Sequence, residues 1–277
     1  MRKSHRVYFP GRRGKLAGIL ETPQGHIHGW ILFSHCFTCN KDLKAIVRIS
    51  RGLADCNWGV LRYDFSGLGG SEGVFSETNF STNCEDLVSA ANFLSSEYHA
   101  PRFLIGHSFG GAASLAMADQ IPSVSGVIAL AAPSDTQHLA DLLLKMDPAI
   151  GEKGIGTVNI GGQKHEIQRQ MVDDFRKHDL PKAVANLKKP VLVFHSPDDE
   201  TVGFHHAIFN AGYHRSPKTS DTETRDTETS DTETSDTRRS FPSTLVALPG
   251  SNHLLTNSER DIPMIVAIAN AWCTRLI

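Results

Sequence analysis

The sequence contains no apolar run close to the roughly 18 residues that a membrane span needs, so no membrane partner is expected. Its basic opening, MRKSHRVYFPGRRGKLAG, is not followed by the apolar stretch of a signal peptide, and the cytosol is the expected compartment. Charge of one sign is also scarce. Lys and Arg number 28 against 30 Asp and Glu, a net charge of -2. That excludes the basic footprint of a nucleic-acid or anionic-lipid binder. Cysteine is sparse and odd in number: Cys36, Cys39, Cys56, Cys84 and Cys273. A disulfide framework is therefore not expected, and the thiols are expected to be reduced. Only one Cys-x-x-Cys is present, which argues against a four-cysteine zinc site, and no cofactor or metal is expected.

What is present is ample apolar material, 40% of 277 residues, enough for one large core in a single domain over 1–277. Short apolar runs alternate with amphipathic segments, the pattern of a mostly parallel sheet covered by helices. Strands are expected at Arg6–Phe9, Leu16–Glu21, Trp30–Ser34, Gly59–Tyr63, Phe103–Gly106, Gly126–Ala131, Val191–His195 and Thr244–Ala247. The first two have no helix between them and should form an antiparallel hairpin. Helices are expected at Asp42–Asp55, Cys84–Glu97, Phe109–Ala118, His205–Ala211 and Pro263–Thr274. In the second of these, Leu87, Val88, Ala91 and Leu94 recur at spacings of three and four, which gives one face to pack on the sheet.

Two stretches break the rhythm. Residues 134–189 hold an amphipathic piece (HLADLLLKM), a Gly-containing hairpin signal (IGTVNIGGQKHEI) and a polar helix (IQRQMVDDFRKH). An insertion between core strands, on the side where they end, reads as a lid over a cleft. Residues 219–239 carry the repeat TSDTETRDTETSDTETSDT. With no apolar residue in the repeat, burial cannot offset its ordering entropy, and disorder is expected.

The chemistry is concentrated in GHSFGG, Gly106–Gly111, directly after the apolar run FLI. Glycines two residues either side of Ser108 allow a sharp strand-to-helix turn that exposes its hydroxyl, and the following helix start favours developing negative charge. A serine hydroxyl needs a base and an orienting carboxylate, in the chain order serine, acid, histidine. The acid follows the strand VLVFHS in HSPDDETV, where Asp198 and Asp199 compete for the role. The base is His253, in the turn LPGSNHLLT after the last strand; His107, His195, His205, His206 and His214 suit the role less well. Oxyanion donors are expected from the backbone N–H of Phe109 and, in the loop HCFTCNKD, of Phe37. In RYDFSGLGGSEG, Asp64 and its glycines read as structural.

Taken together, HCFTCNKD, RYDFSGLGGSEG, TNFSTNCEDL, GHSFGGAASLA, HSPDDETVG and NHLLT resemble the hydrolase portion of bacterial proteins that join an α/β hydrolase to an OsmC-like domain. The resemblance implies an α/β-hydrolase sheet of about eight strands with a small lid, a serine aminopeptidase-like hydrolase, and a triad on Ser108, Asp199 and His253. By the family's spacing the acid is Asp199, three residues before Val202, and Asp198 is then a solvated neighbour. It also implies an OsmC-like protein partner, either dispensed with or supplied as a separate chain. The expected reaction is cleavage of an ester, thioester or amide of a small acyl substrate. An aspartate would stand at Ser108 in a dehalogenase. Two other readings stay open: a thiol-redox protein using Cys36 and Cys39, and a non-catalytic scaffold of the same fold.

Overall fold

The computed structural model describes residues 2–213, 242–257 and 259–277, so the acidic repeat lies outside the described residues. The chain opens with β1 (Lys3–Gly11), β2 (Gly14–Thr22) and β3 (Gly29–Ser34), followed by α1 (Lys44–Asp55) and β4 (Trp58–Tyr63). Next come α2 (Phe80–Glu97), β5 (Pro101–His107), α3 (Phe109–Met117) and β6 (Gly126–Leu130). An insertion follows: α4 (Gln137–Met146), α5 (Ala149–Glu152), β7 (Ile155–Ile160), β8 (Gln163–Gln168), α6 (Arg169–Lys177) and α7 (Leu180–Asn186). The chain then returns to the sheet with β9 (Val191–His195), α8 (Phe204–Asn210), β10 (Ser243–Ala247) and α9 (Asp261–Arg275).

The main sheet has eight strands in the order β1-β2-β4-β3-β5-β6-β9-β10. As expected, β1 and β2 form an antiparallel hairpin, β2 pairs antiparallel with β4, and every later pairing is parallel. Parallel strands need crossovers, and here these cover both faces, so the central strands are buried throughout. The two-residue period divides the core. Ile31, Phe33, Val60, Phe103, Ile105, Leu192 and Phe194 face α1 and α9, which supply Ile46, Ile49, Leu53, Ile265 and Ala269. Leu32, Leu61, Leu104, Val127 and Val193 face the other way, toward Leu87, Ala91 and Leu94 of α2 and Ala112 and Leu115 of α3.

Helix α2 starts four residues before the sequence suggested. Asn79 caps it: its side chain accepts the Thr82 N–H at 2.9 Å, and the Thr82 hydroxyl accepts the Asn79 N–H at 2.8 Å. Threonine stands in this reciprocal cap where glutamate or glutamine is the usual signal. In the insertion, β7 and β8 form a separate antiparallel hairpin closed by Gly161 and Gly162 at φ of 62° and 81°, the left-handed backbone such tight turns require. Ala140, Leu143, Ile150, Met171, Phe175, Leu180 and Val184 bury into the same core as α2 and α3, which fastens the insertion above the ends of β6 and β9. Among the described residues, no helix is long and apolar enough to cross a membrane.

Parallel strands bring β3, β5, β9 and β10 to one sheet edge at their carboxyl ends, where a ligand can meet loops from all four. Position there depends on backbone proximity. A Cβ on Gly106 would strike the carbonyl of Gly110, and one on Gly110 would strike the carbonyls of Ser34 and His35. Rigid backbone cannot yield as a side-chain tip can. Replacement Gly110→Ala should therefore cost about 2–3 kcal/mol in urea unfolding and push α3 away from the end of β3. Wild-type stability in that variant would show that the approach is not constraining.

Candidate active site

Ser108 occupies the step from β5 to α3 with φ 53° and ψ −121°, a left-handed conformation costly for any residue with a Cβ. The turn is held from both directions. Ser108 N–H donates to Leu130 O at 2.8 Å, and its carbonyl accepts the N–H groups of Gly111 at 2.8 Å and Ala112 at 3.1 Å.

The candidate acid and base come to this hydroxyl from the ends of two other strands. Asp199 follows β9, and its Oδ1 accepts N–H groups from Thr201 at 2.8 Å and Val202 at 2.9 Å. The three-residue spacing to Val202 thus has a direct cause: it turns the loop back on the carboxylate. Oδ2 accepts Nδ1–H of His253 at 2.8 Å, and Nε2 of His253 stands 2.9 Å from Ser108 Oγ, placed to accept its proton. Burial opposes ionisation of Asp199, but the hydrogen bond and charge of His253 and the two loop N–H groups outweigh it, holding the carboxyl below its ordinary range. Asp198 is exposed, as expected of a solvated neighbour, and also has a structural contact. Its Oδ2 accepts Gly250 N–H at 2.7 Å, tying the acid loop to the turn before His253.

Three further histidines support this row. His107 Nε2–H donates to the carbonyl of His253 at 2.7 Å, so the residue before Ser108 fixes the backbone of the base. His195 Nε2–H donates to Val202 O at 2.7 Å and closes the Asp199 loop from beneath. His35 Nδ1–H donates to Cys36 O at 2.7 Å while its Nε2 accepts Phe65 N–H at 3.0 Å, which ties the loop after β3 to the loop after β4. Burial foremost lowers the pKa of all three, that of His107 to about 3, so each works as a neutral tether. The structural reading of Asp64 agrees with its contacts. It accepts Lys41 N–H at 2.6 Å, Lys41 Nζ at 2.7 Å and Gly70 N–H at 2.8 Å.

Phe37 and Phe109 lie side by side, their rings 5.3 Å apart and edge-on, and both line the same cavity as Ser108. Phe109 is the first residue of α3 and has no intrahelical acceptor for its N–H. Among the described residues, neither N–H has a hydrogen-bond acceptor. The expectation of reduced thiols is corrected here. Cys36 and Cys39 form a disulfide, because the turn that Cys39 N–H makes onto Cys36 O brings their Cα atoms to 5.3 Å, well inside bonding range. Cys56, Cys84 and Cys273 are free.

Comparison with known proteins places the chain in a family. The esterase domain of a Rhodothermus marinus protein is 32% identical in sequence, covers 99% of this chain with 98% of its own, and superposes with a TM-score of 0.69. The chain belongs to the α/β-hydrolase superfamily. The family described as "Serine aminopeptidase, S33" matches residues 25–149. The α/β-hydrolase domain-containing protein aho-3 of Caenorhabditis elegans is 30% identical over 218 residues, which are 76% of this chain and 55% of that protein. The mitochondrial palmitoyl-protein thioesterase ABHD10 of Rattus norvegicus is 24% identical over 64% of this chain and 61% of its own length. The chain thus spans only 55% and 61% of the length of these two relatives.

Above Ser108 and His253 this α/β hydrolase has a cavity of about 290 Å³. The insertion forms much of its wall with Leu139, Leu142, Leu143, Met146 and Ile160, joined by Val202 and Leu254. Nearby, Asp135, His138 and His206 bring three ligand-type atoms within 4.8 Å of one another. Each already has a structural partner. Asp135 Oδ1 accepts His138 N–H and Nδ1–H, both at 3.0 Å, and His206 Nδ1 accepts Ser134 N–H at 3.2 Å and its hydroxyl at 2.9 Å. These bonds fasten the start of α4 to α8 and account for the cluster. Burial, reinforced by His205 and His138, lowers the pKa of His206 to about 4.

His107 and His206 are buried and uncharged in the fold, whereas a histidine in the unfolded chain titrates near 6.5. Below that pH the unfolded chain binds protons that the native protein refuses. Their contribution is full above about pH 6.5 and drains as pH falls toward about 4, by at most about 1.4 kcal/mol per pH unit for each. Urea unfolding between pH 7 and 4.5 should show this decline. Asp86, raised by burial to about 6, acts in the opposite sense over this range. The neutral-tether assignment is therefore read from His107→Gln and His206→Gln, each of which should flatten the decline; an unchanged slope in both would contradict it.

Proposed function

We propose that the protein is a serine hydrolase that cleaves an ester or thioester through an acyl-enzyme. One observation carries this reading: a single imidazole, His253, spans 2.8 Å to Asp199 and 2.9 Å to Ser108 at the floor of an apolar cavity. Ser108 Oγ attacks the acyl carbonyl while His253 Nε2 takes its proton. Asp199 holds the Nδ1–H tautomer and offsets the charge the ring acquires. The N–H groups of Phe109 and Phe37 receive the oxyanion. His253 then returns the proton to the leaving group, and water repeats the cycle on the acyl-serine.

The cavity favours an apolar acyl group over a peptide amino terminus. Its lining is dominated by Phe37, Phe109, Leu139, Leu142, Leu143, Met146, Ile160, Val202 and Leu254, whereas Asp198 and Glu200 line a separate opening beside it. The insertion serves as the lid of this pocket, with Leu142 and Met146 half-open at its rim, at 41% and 46% exposure. The esterase and thioesterase names carried by the relatives described above agree with this choice.

Two measurements test the reading. In hydrolysis of p-nitrophenyl esters and acyl thioesters, Ser108→Ala should lower kcat by at least about a thousandfold, and Asp199→Asn by about 10⁴. A folded Ser108→Ala protein with undiminished turnover would remove Ser108 from the mechanism. Leu142→Glu should shift preference from octanoyl toward acetyl esters by about tenfold. An unchanged chain-length profile would place the acyl group elsewhere.

A further inference from the structure

The serine chemistry leaves one reactive group in the pocket unused. Cys36 and Cys39 both line the cavity above Ser108, and their disulfide encloses Phe37 and Thr38. Phe37 is the residue whose N–H is assigned to the oxyanion, so the crosslink brackets part of the reaction geometry.

The segment is anchored on both sides without it. Before the pair, His35 joins Cys36 O to Phe65 N–H. After it, Lys41 is held by Asp64 through both its N–H and its Nζ. Between these anchors the only backbone bond internal to the loop is Cys39 N–H to Cys36 O, long at 3.3 Å. The Phe37 ring packs against Phe75, Phe109 and Phe175 at centroid distances of 5.5, 5.3 and 5.9 Å, which locates the side chain but leaves the peptide plane free to turn. A crosslink closing so short a loop restricts the unfolded chain less than a long-range one, and within the native fold its effect falls on the loop itself, on the direction of the Phe37 N–H.

The pair is also reachable. Cys36 is 4% exposed, whereas Cys39 is half-buried at the cavity wall, so Cys39 is the half of the pair closer to solvent and the one assigned to meet an incoming thiolate. The remaining cysteines are poor competitors, since burial pushes the thiols of Cys56, Cys84 and Cys273 up and keeps them protonated.

Resting on the serine-hydrolase reading, we propose that Cys36–Cys39 is a redox-active site for dithiol reductants, and that its state sets the oxyanion loop. Oxidised, it fixes the Phe37 N–H beside that of Phe109; reduced, it releases it. A thiolate of the dithiol attacks Cys39 Sγ, the S–S bond breaks, and Cys36 leaves as a thiolate and takes a proton. The second thiol of the reductant then attacks the mixed disulfide, freeing Cys39 and departing as a cyclic or intramolecular disulfide. Two electrons and two protons pass from the dithiol to the pair.

The test uses the full chain, oxidised with diamide or reduced with dithiothreitol, each state verified by maleimide labelling and peptide mass at Cys36 and Cys39. Three quantities are compared: kcat and KM on a p-nitrophenyl ester, the rate of Ser108 labelling by a fluorophosphonate, and amide hydrogen exchange in the peptide covering residues 35–43. Reduction should lower kcat at least about tenfold, short of the roughly 100- to 1000-fold cost of losing an oxyanion donor outright. KM should stay within about twofold, and exchange at residues 36–40 should quicken several-fold. The double variant Cys36→Ser/Cys39→Ser should match the reduced protein and ignore both reagents. Equal kcat and equal exchange in the two verified states would overturn the proposal, as would a pair that diamide cannot oxidise. Should Ser108 neither turn over ester nor label in either state, the hydrolase reading itself fails, and unequal exchange would then show redox control of the loop alone.

Discussion

The approach of three backbones at the end of β5 is the constraint on which the rest of the site depends. Gly106, Gly110 and the carbonyls of Ser34 and His35 lie closer together than any Cβ allows. This is why Ser108 can sit at φ 53° with its hydroxyl clear of the sheet, and why α3 begins immediately beneath it. The same contact fixes the end of β3 against the start of α3, which brings the Phe37 loop alongside Phe109. Nucleophile and both candidate oxyanion donors thus share one origin. A shift of α3 displaces all three together, so the packing of two glycines does what separate hydrogen bonds would otherwise have to do.

Around this fixed point, histidines divide by environment into tethers and a base. His35, His107 and His195 are buried, each donates to a backbone carbonyl, and burial keeps them neutral. His253 instead has one nitrogen on a carboxylate and the other at the serine hydroxyl, next to open space. Neutral tethers suit the proposed mechanism, because a second positive charge this close would oppose the imidazolium that proton transfer from Ser108 would create. Asp199, held in its ionised form, would be the partner that stabilises that charge.

The strands, the main helices on both faces and the candidate row Ser108, Asp199, His253 were legible in the sequence, because they rest on local pattern (alternation, a Gly-flanked serine, a turn after the last strand) and, for Asp199 over Asp198, on the family's spacing to Val202. What was not legible depends on distance through space. The His107 bond to the carbonyl of His253 joins residues 146 apart, and that from Gly250 to Asp198 joins residues 52 apart. Nothing in either local sequence names its partner. The Cys36–Cys39 disulfide was obscured for another reason. Cysteine number and compartment argue about whole frameworks, whereas this pair is decided by one turn that brings two Cα atoms to 5.3 Å. Thr82 in the α2 cap shows the same limit, since its hydroxyl takes a place that sequence rules assign to a longer side chain.

The position of the base shows how these long-range ties matter. His253 lies six residues beyond β10, a distance at which the strand alone cannot set an imidazole to within hydrogen-bonding tolerance. Its turn is instead gripped from the elbow and the acid loop. His107 holds the carbonyl of His253, Asp198 holds Gly250 N–H, and His195 O accepts Leu248 N–H at 2.9 Å. Within the turn, Asn257 Nδ2 donates to Gly250 O at 2.7 Å and its Oδ1 accepts Asn252 N–H at 2.8 Å, while Ser251 Oγ binds Asp261 at the start of α9. The ties to His107, Asp198 and His195 run between residues on either side of residues 214–241. The chain between acid and base can therefore differ greatly in length while the imidazole keeps its place, because loop length adds only slowly to closure entropy and the turn is registered against β5 and β9 rather than against what precedes β10.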